Sequence, residues 1–164
     1  PIDPNIKGVE HARQILEIHE HMDEIGEKVV IIGGGLVGSE FAATLALRGK
    51  TVTLIEKTDA IAGKYDNTIS KPYDLLSTLP NVRLMPDSNC TEIKEKSVVV
   101  SSEELGEIEV DADTVLLAVG FKSNNAGIEA FFGITPHTTV IGDLRRPATI
   151  RECEEEGYFA VSGI

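Results

Sequence analysis

Residues 29–56 read VVIIGGGLVGSEFAATLALRGKTVTLIE, and no other stretch limits the fold as much. Lys28–Ile32 is a run of β-branched apolar residues, the mark of a strand buried on both faces of a parallel sheet. It leads straight into Gly33-Gly34-Gly35-Leu36-Val37-Gly38, which fits G-x-G-x-x-G. Each glycine of that pattern has a physical purpose: Gly33 makes the tight turn, Gly35 lets the backbone approach a pyrophosphate, and Gly38 lets helix and strand pack closely. The pattern predicts a helix over 36–48, with Ala42, Ala43 and Ala46 small enough for close packing. A second buried strand is expected over Thr51–Ile55, ending at Glu56.

Glu56 lies 18 positions beyond Gly38 (56 − 38), where a carboxylate can accept the hydroxyls of an adenosine ribose. The N–H groups and dipole of the following helix would face the phosphates. A glycine motif alone is weak evidence and is compatible with a merely structural turn. A strand before it, a helix after it and an acid at the next strand end together predict a dinucleotide site. A carboxylate at Glu56 disfavours a 2′-phosphate, so NAD(H) is expected ahead of NADP(H). Lys57 could temper that repulsion, although an exposed loop lysine is the simpler reading. Glu40, in the first helical turn, is either an acid favoured by the helix dipole or a ligand toward the nicotinamide; its position alone leaves both open.

The rest of the chain fills out an α/β plan. Apolar spacing predicts an amphipathic helix over 9–24, ended by Gly26, behind a turn-rich start, PIDPNIKG, that does not open on Met. That start reads as a linker in a piece of a longer protein. A crossover helix is expected over 67–78 and a third strand over 82–85. Alternating apolar and polar residues over 91–110 predict an antiparallel β-meander, and TVLLAV over 114–119 returns to the buried parallel style. A further strand over 139–141 and a helix over 148–161 are expected near the end. The predicted fold is a Rossmann-like three-layer α/β domain, with a central parallel sheet and an antiparallel β-meander.

Composition narrows the function classes. Fifteen Lys and Arg oppose 27 Asp and Glu, a net charge of −12 that repels nucleic-acid backbones. No apolar run approaches the roughly 20 residues needed to span a bilayer. No basic stretch precedes an apolar one near the start, so neither a membrane partner nor a secretory signal is expected and the location is read as cytoplasmic. Cys90 and Cys153, far apart, form no CxxC pair, and His11, His19, His21 and His137 show no metal spacing.

GGGLVGSEFA, VTLIEK, DTVLLAVGFKSN and TVIGDLRRPATIRECEEEGYFA, in that order, resemble the pyridine nucleotide-disulfide oxidoreductase-like flavoproteins. More narrowly, the chain resembles the C-terminal region of old yellow enzyme-type NADH:flavin oxidoreductases, such as 2-enoate and 2,4-dienoyl-CoA reductases. The resemblance implies that Gly33, Gly34, Gly35, Leu36, Val37, Gly38 and Glu56 hold the dinucleotide and that Glu40 lies toward the nicotinamide. It implies that Ala118, Val119 and Gly120 mark the return toward an FAD domain. Gly142 and Asp143 resemble a late FAD motif whose acid binds the flavin's ribityl chain, although Asp143 is also explained as a simple turn former.

The domain division expected is a linker and helix at 1–27, an NAD(P)H-binding domain at 28–120 and an FAD-domain return segment at 121–164. The family's first FAD glycine motif, its active CxxC, the cysteine cluster for a 4Fe-4S centre and the FMN barrel are not in the sequence. A hydride would pass from NADH to FAD in a longer parent, needing no catalytic acid, base or nucleophile, and the isolated chain is expected to be inactive. The alternatives are a domain of an NADH oxidase or a ferredoxin reductase-type flavoprotein, a non-enzymatic NAD(H)-sensing module, or a degenerate structural domain.

Overall fold

Strand β2, Lys28–Ile32, sits at the centre of a five-stranded parallel sheet. The computed structural model describes residues 1–62 and 71–162. In chain order the elements are β1 Arg13–Gln14, α1 Ile15–Ile18, β2, α2 Leu36–Leu47, β3 Thr51–Ile55, α3 Lys71–Thr78, β4 Val82–Met85, β5 Ser88–Ile93, β6 Ser97–Ser102, β7 Gly106–Asp111, β8 Thr114–Leu117 and α4 Ile150–Ser162. The parallel sheet has the order β1-β8-β2-β3-β4, and β5-β6-β7 form a separate antiparallel sheet. The chain divides into two compact units, Asp3–Gly120 and Phe121–Ile164 with Pro1–Ile2.

The continuous apolar run of β2 has a direct cause. Successive side chains of a strand point to opposite faces, so a strand apolar at every position needs cover on both. Val29 and Ile31 join a core with Ala42, Leu45 and Ala46 of α2 and Leu76 of α3. Val30 and Ile32 join a second core with Val98, Val100 and Val110 of the meander. The flanking strands split in the same way: Leu54 and Leu116 serve the helical side, Ile55, Val115 and Leu117 the meander side. The three layers are therefore helices, parallel sheet and meander, as the sequence pattern predicts.

The helix expected over 9–24 does not form. Its place is taken by a 3-10 turn at Val9–His11, the short strand β1, the single turn α1 and another 3-10 turn at Met22–Glu24. The apolar residues of this segment serve two different cores: Val9 and Ala12 pack on the meander side, while Ile15, Ile18 and Ile25 are buried on the helical side. One straight helix cannot reach both faces of a sheet. The chain instead passes around the edge, with Ala12 and Gln14 extended and Arg13 and Gln14 pairing in parallel with Leu116 and Leu117.

The first part of the crossover helix expected over 67–78 lies outside the described residues, and its remainder is α3. The segment 139–141 is irregular rather than a strand. A strand is held by its ladder, and the unit from Phe121 onward supplies no other strand among the described residues. In that unit α4 buries none of its residues, and Ile150 and Phe159 are 81% and 71% exposed. Arg145–Glu156, Arg146–Glu152 and Arg151–Glu155 ion pairs run along its surface.

Two truncations test the layering. Ile31→Ala, at a fully buried position of β2, is expected to cost about 2–5 kcal/mol. Leu47→Ala, at an exposed position at the end of α2, is expected to change stability by no more than about 0.5 kcal/mol. Denaturant unfolding of the two variants checks both.

Candidate functional site

The strands around β2 end level with one another. Ile32 pairs with Ile55 of β3 on one side and with Leu117 of β8 on the other. The next residues, Gly33, Glu56 and Ala118, therefore emerge side by side at the carboxyl edge of the sheet. The chain leaves β2 toward β3 and later returns to its opposite flank as β8, so this edge is the switch point at which α/β sheets leave a crevice for ligands.

The glycines of the loop differ in what surrounds them. Gly33 has a φ of 111°, and a Cβ there would lie 2.4 Å from the Ala118 carbonyl oxygen. A side chain would meet both backbone strain and a neighbouring main chain. A Cβ on Gly38 would lie 2.0 Å from the Gly33 carbonyl oxygen and 3.2 Å from the Ala118 Cβ, so α2 crosses the end of β2 with no room between. At Gly35 a Cβ would meet nothing within 4 Å. Gly35 is the N-cap of α2 and brings no side-chain cap, so the N–H groups of the first turn, from Leu36 to Gly38, lack a capping oxygen. The loop is packed tightly where it touches the sheet and open where it faces outward.

A hydrogen-bond network holds this shape. The Gly33 N–H donates to the Ile55 carbonyl at 2.8 Å. The Gly34 N–H donates to Glu56 Oε2 at 2.8 Å, and the Gly34 carbonyl accepts the Ala62 N–H at 2.8 Å and the Ser39 hydroxyl at 3.1 Å. Glu56 Oε1 accepts the Thr58 N–H at 2.9 Å and the Thr58 hydroxyl at 2.8 Å. Ser39, fully buried, and Thr58 escape notice in the sequence because hydroxyl residues are common in turns. The available signal is a threonine two positions beyond an acid, close enough for a local side-chain turn.

Gly33, Gly34, Gly35, Leu36, Val37, Gly38, Glu40, Glu56, Lys57, Ala118, Val119 and Gly120 all lie in the unit Asp3–Gly120. Leu36, Val37 and Glu40 are exposed on the first turns of α2. Lys57 is exposed and lines a cleft of about 530 Å³ with Arg83, Met85, Asp87, Ser102 and Glu104. That cleft belongs to the ends of β3 and β4 and the β6–β7 turn, apart from the glycine loop. Gly142 and Asp143 belong to the other unit and open a 3-10 turn. There the Gly142 N–H donates to Glu156 Oε2 at 2.8 Å, and Asp143 Oδ1 accepts the Ala148 N–H at 3.4 Å.

Neither thiol has the surroundings of a redox cysteine. Burial pushes Cys90 up to about 11, opposed only by a hydrogen bond to Glu92. Cys153 is also raised, first by burial and then by Asp143, Glu156 and Glu152. A thiolate is the reactive form, so buried Cys90 is protected at neutral pH, and neither thiol is activated by its surroundings. No group of three or more His, Cys, Asp or Glu residues is arranged to hold a metal among the described residues.

Three measurements follow from this geometry. Gly38→Ala is expected to lose about 1–3 kcal/mol by overpacking, whereas Gly35→Ala leaves thermal stability nearly unchanged. Cys90 is expected to resist a thiol-alkylating reagent at neutral pH until denaturant is added.

Comparison with known proteins identifies the family. Residues 1–138 match the family model described as pyridine nucleotide-disulphide oxidoreductase. The bilirubin reductase of Mediterraneibacter gnavus is 31% identical over 162 residues, covering 97% of this chain and 25% of that protein. The cinnamate reductase of Clostridium sporogenes is 29% identical over 168 residues, covering 97% of this chain and 24% of that protein. A solved 2-naphthoyl-CoA reductase complex superposes with a TM-score of 0.86 at 28% identity, over 100% of this chain and 25% of its own. The chain thus spans about a quarter of the length of these relatives. With a matched family model over residues 1–138, most of its length, the chain belongs to the pyridine nucleotide-disulphide oxidoreductase family.

Proposed function

We propose that the unit Asp3–Gly120 is the NAD(P)H-binding domain of a flavin-dependent oxidoreductase and presents NADH to an FAD held by the parent protein. One observation carries this reading: the glycine loop is closed to any side chain at Gly33 and Gly38 and open at Gly35. A turn that served packing alone would have no reason to leave its middle glycine uncovered at an uncapped helix start. The residues present fit a dinucleotide. The backbone at Gly34, Gly35, Leu36, Val37 and Gly38 would hold the pyrophosphate, with the N-terminal dipole of α2 favouring its charge. Glu56 would accept from the adenosine ribose, and its charge disfavours a 2′-phosphate. Lys57, at the mouth of the neighbouring cleft, is the residue that would soften that preference. Glu40, exposed two residues beyond Gly38, would reach toward the nicotinamide, with Ala118, Val119 and Gly120 forming the opposite wall.

When bound, the reduced nicotinamide supplies a hydride for a flavin; the protein's part is to hold and orient it. No acid, base or nucleophile of this chain is required. Asp143 is exposed and would accept from the ribityl chain of FAD, with Gly142 giving the turn that presents it. The remaining three quarters of a parent like these relatives would hold the rest of the FAD site. The relatives named bilirubin, cinnamate and 2-naphthoyl-CoA reductase favour the old yellow enzyme-type branch, whose barrel would carry FMN and whose cysteine cluster would carry a 4Fe-4S centre. No helix among the described residues is long and apolar enough to cross a membrane. Two free cysteines suit a reducing, cytoplasmic compartment.

Calorimetric titration of the chain with NADH, NADPH and FAD tests the reading. NADH is expected to bind more tightly than NADPH, and Gly35→Arg is expected to abolish the heat of NADH binding. Silence with both nicotinamide nucleotides overturns it.

A further inference from the structure

Glu56 has fewer free acceptor positions than its role as a ribose ligand requires. A carboxylate offers about four lone-pair positions. Three are filled from within the chain, by the Gly34 N–H on Oε2 and by the N–H and hydroxyl of Thr58 on Oε1. About one position remains. A ribose with two free hydroxyls therefore cannot donate both to Glu56 while these bonds persist, and breaking the Gly34 bond would loosen the glycine loop itself.

The Thr58 hydroxyl supplies what is missing. A hydroxyl has one proton and two lone pairs, and here the proton is directed to Glu56 Oε1. Among the described residues nothing donates to those lone pairs, which sit on an exposed side chain next to the carboxylate whose orientation it helps to set. We propose that Thr58 is a positioning and specificity residue: it locks the Glu56 carboxylate in place and its own oxygen accepts the second hydroxyl of the adenosine ribose. The proposal rests on the nucleotide reading above and adds to it a reason for discrimination. Two neighbouring acceptors call for two hydroxyl donors, and a ribose carrying a 2′-phosphate brings one donor fewer and a negative charge against Glu56. Sites built to pair with a hydroxyl reject analogues lacking it because a polar group is left unpaired.

The test compares Thr58→Val and Thr58→Ser with the unsubstituted chain by calorimetry, using NADH and NADPH, with Gly35→Arg as the control for the pocket. Thr58→Val keeps the shape and the backbone donor but removes the hydroxyl. It is expected to weaken NADH binding about five- to tenfold and to change NADPH binding by less than about twofold, so that the preference for NADH shrinks. Thr58→Ser is expected to restore NADH affinity to within about twofold, since it returns the same donor and acceptor. Thermal melts of both variants show that the fold is intact. Undiminished NADH affinity in Thr58→Val, an equal loss for both nucleotides, or failure of serine to restore binding each overturns the proposal. If the unsubstituted chain does not bind NADH, the nucleotide reading falls instead. If NADH binding is lost in Gly35→Arg but unchanged in Thr58→Val, only the role of Thr58 falls.

Discussion

Strand β2 has no face left for water, and most of the larger unit follows from that. Its apolar side chains alternate between a core built with α2 and α3 and a core built with the meander. Neither layer can be dispensed with, because uncovering either face would expose a row of β-branched residues. The strands that flank β2 run parallel to it, and this brings the carboxyl ends of β2, β3 and β8 to one edge. The candidate site is thus a by-product of how the sheet is covered. Gly33, Glu56 and Ala118 meet because each follows a strand that must end there.

The polar network at this edge is economical in residues. Gly34 joins the loop to Glu56 through its N–H and to Ser39 and Ala62 through its carbonyl, so the main chain around Gly35 is shaped before any ligand arrives. Such preorganisation lowers the ordering cost of binding. Charge elsewhere follows a different logic. The Lys28–Asp111 pair links the start of β2 to the end of β7, with the lysine raised and the aspartate lowered by their mutual hydrogen bond. Both groups are exposed, so the pair contributes little to stability and is weakened by salt. The hydrophobic core on the meander side, rather than ion pairs, holds the meander to the sheet.

The unit from Phe121 onward is of another kind. Among its described residues it has 3-10 turns, the α-helix α4 and surface ion pairs, but α4 buries none of its own residues. Its Gly142 N–H is satisfied locally by Glu156, which leaves Asp143 as the exposed polar group of the turn.

Much of this was legible in residue order. The strand–glycine–helix–strand–acid sequence located the parallel core and the loop, because burial on both faces and the steric demands of a tight strand-to-helix turn each leave a local signature. The segment over 9–24 misled for a physical reason: its apolar spacing fits a helix, yet its residues are divided between two cores on opposite faces of the sheet. The segment over 139–141 has strand-like residues without a partner strand, and pairing is a long-range property that composition does not carry. Residue order alone marks the individual strands, the glycine loop and the acid beside it, since those depend on neighbours within a few positions. That Gly35 is open while Gly33 and Gly38 are closed, and that Thr58 occupies half of what Glu56 has to offer, follows from contacts in three dimensions. Those facts depend on where the ends of separate strands meet.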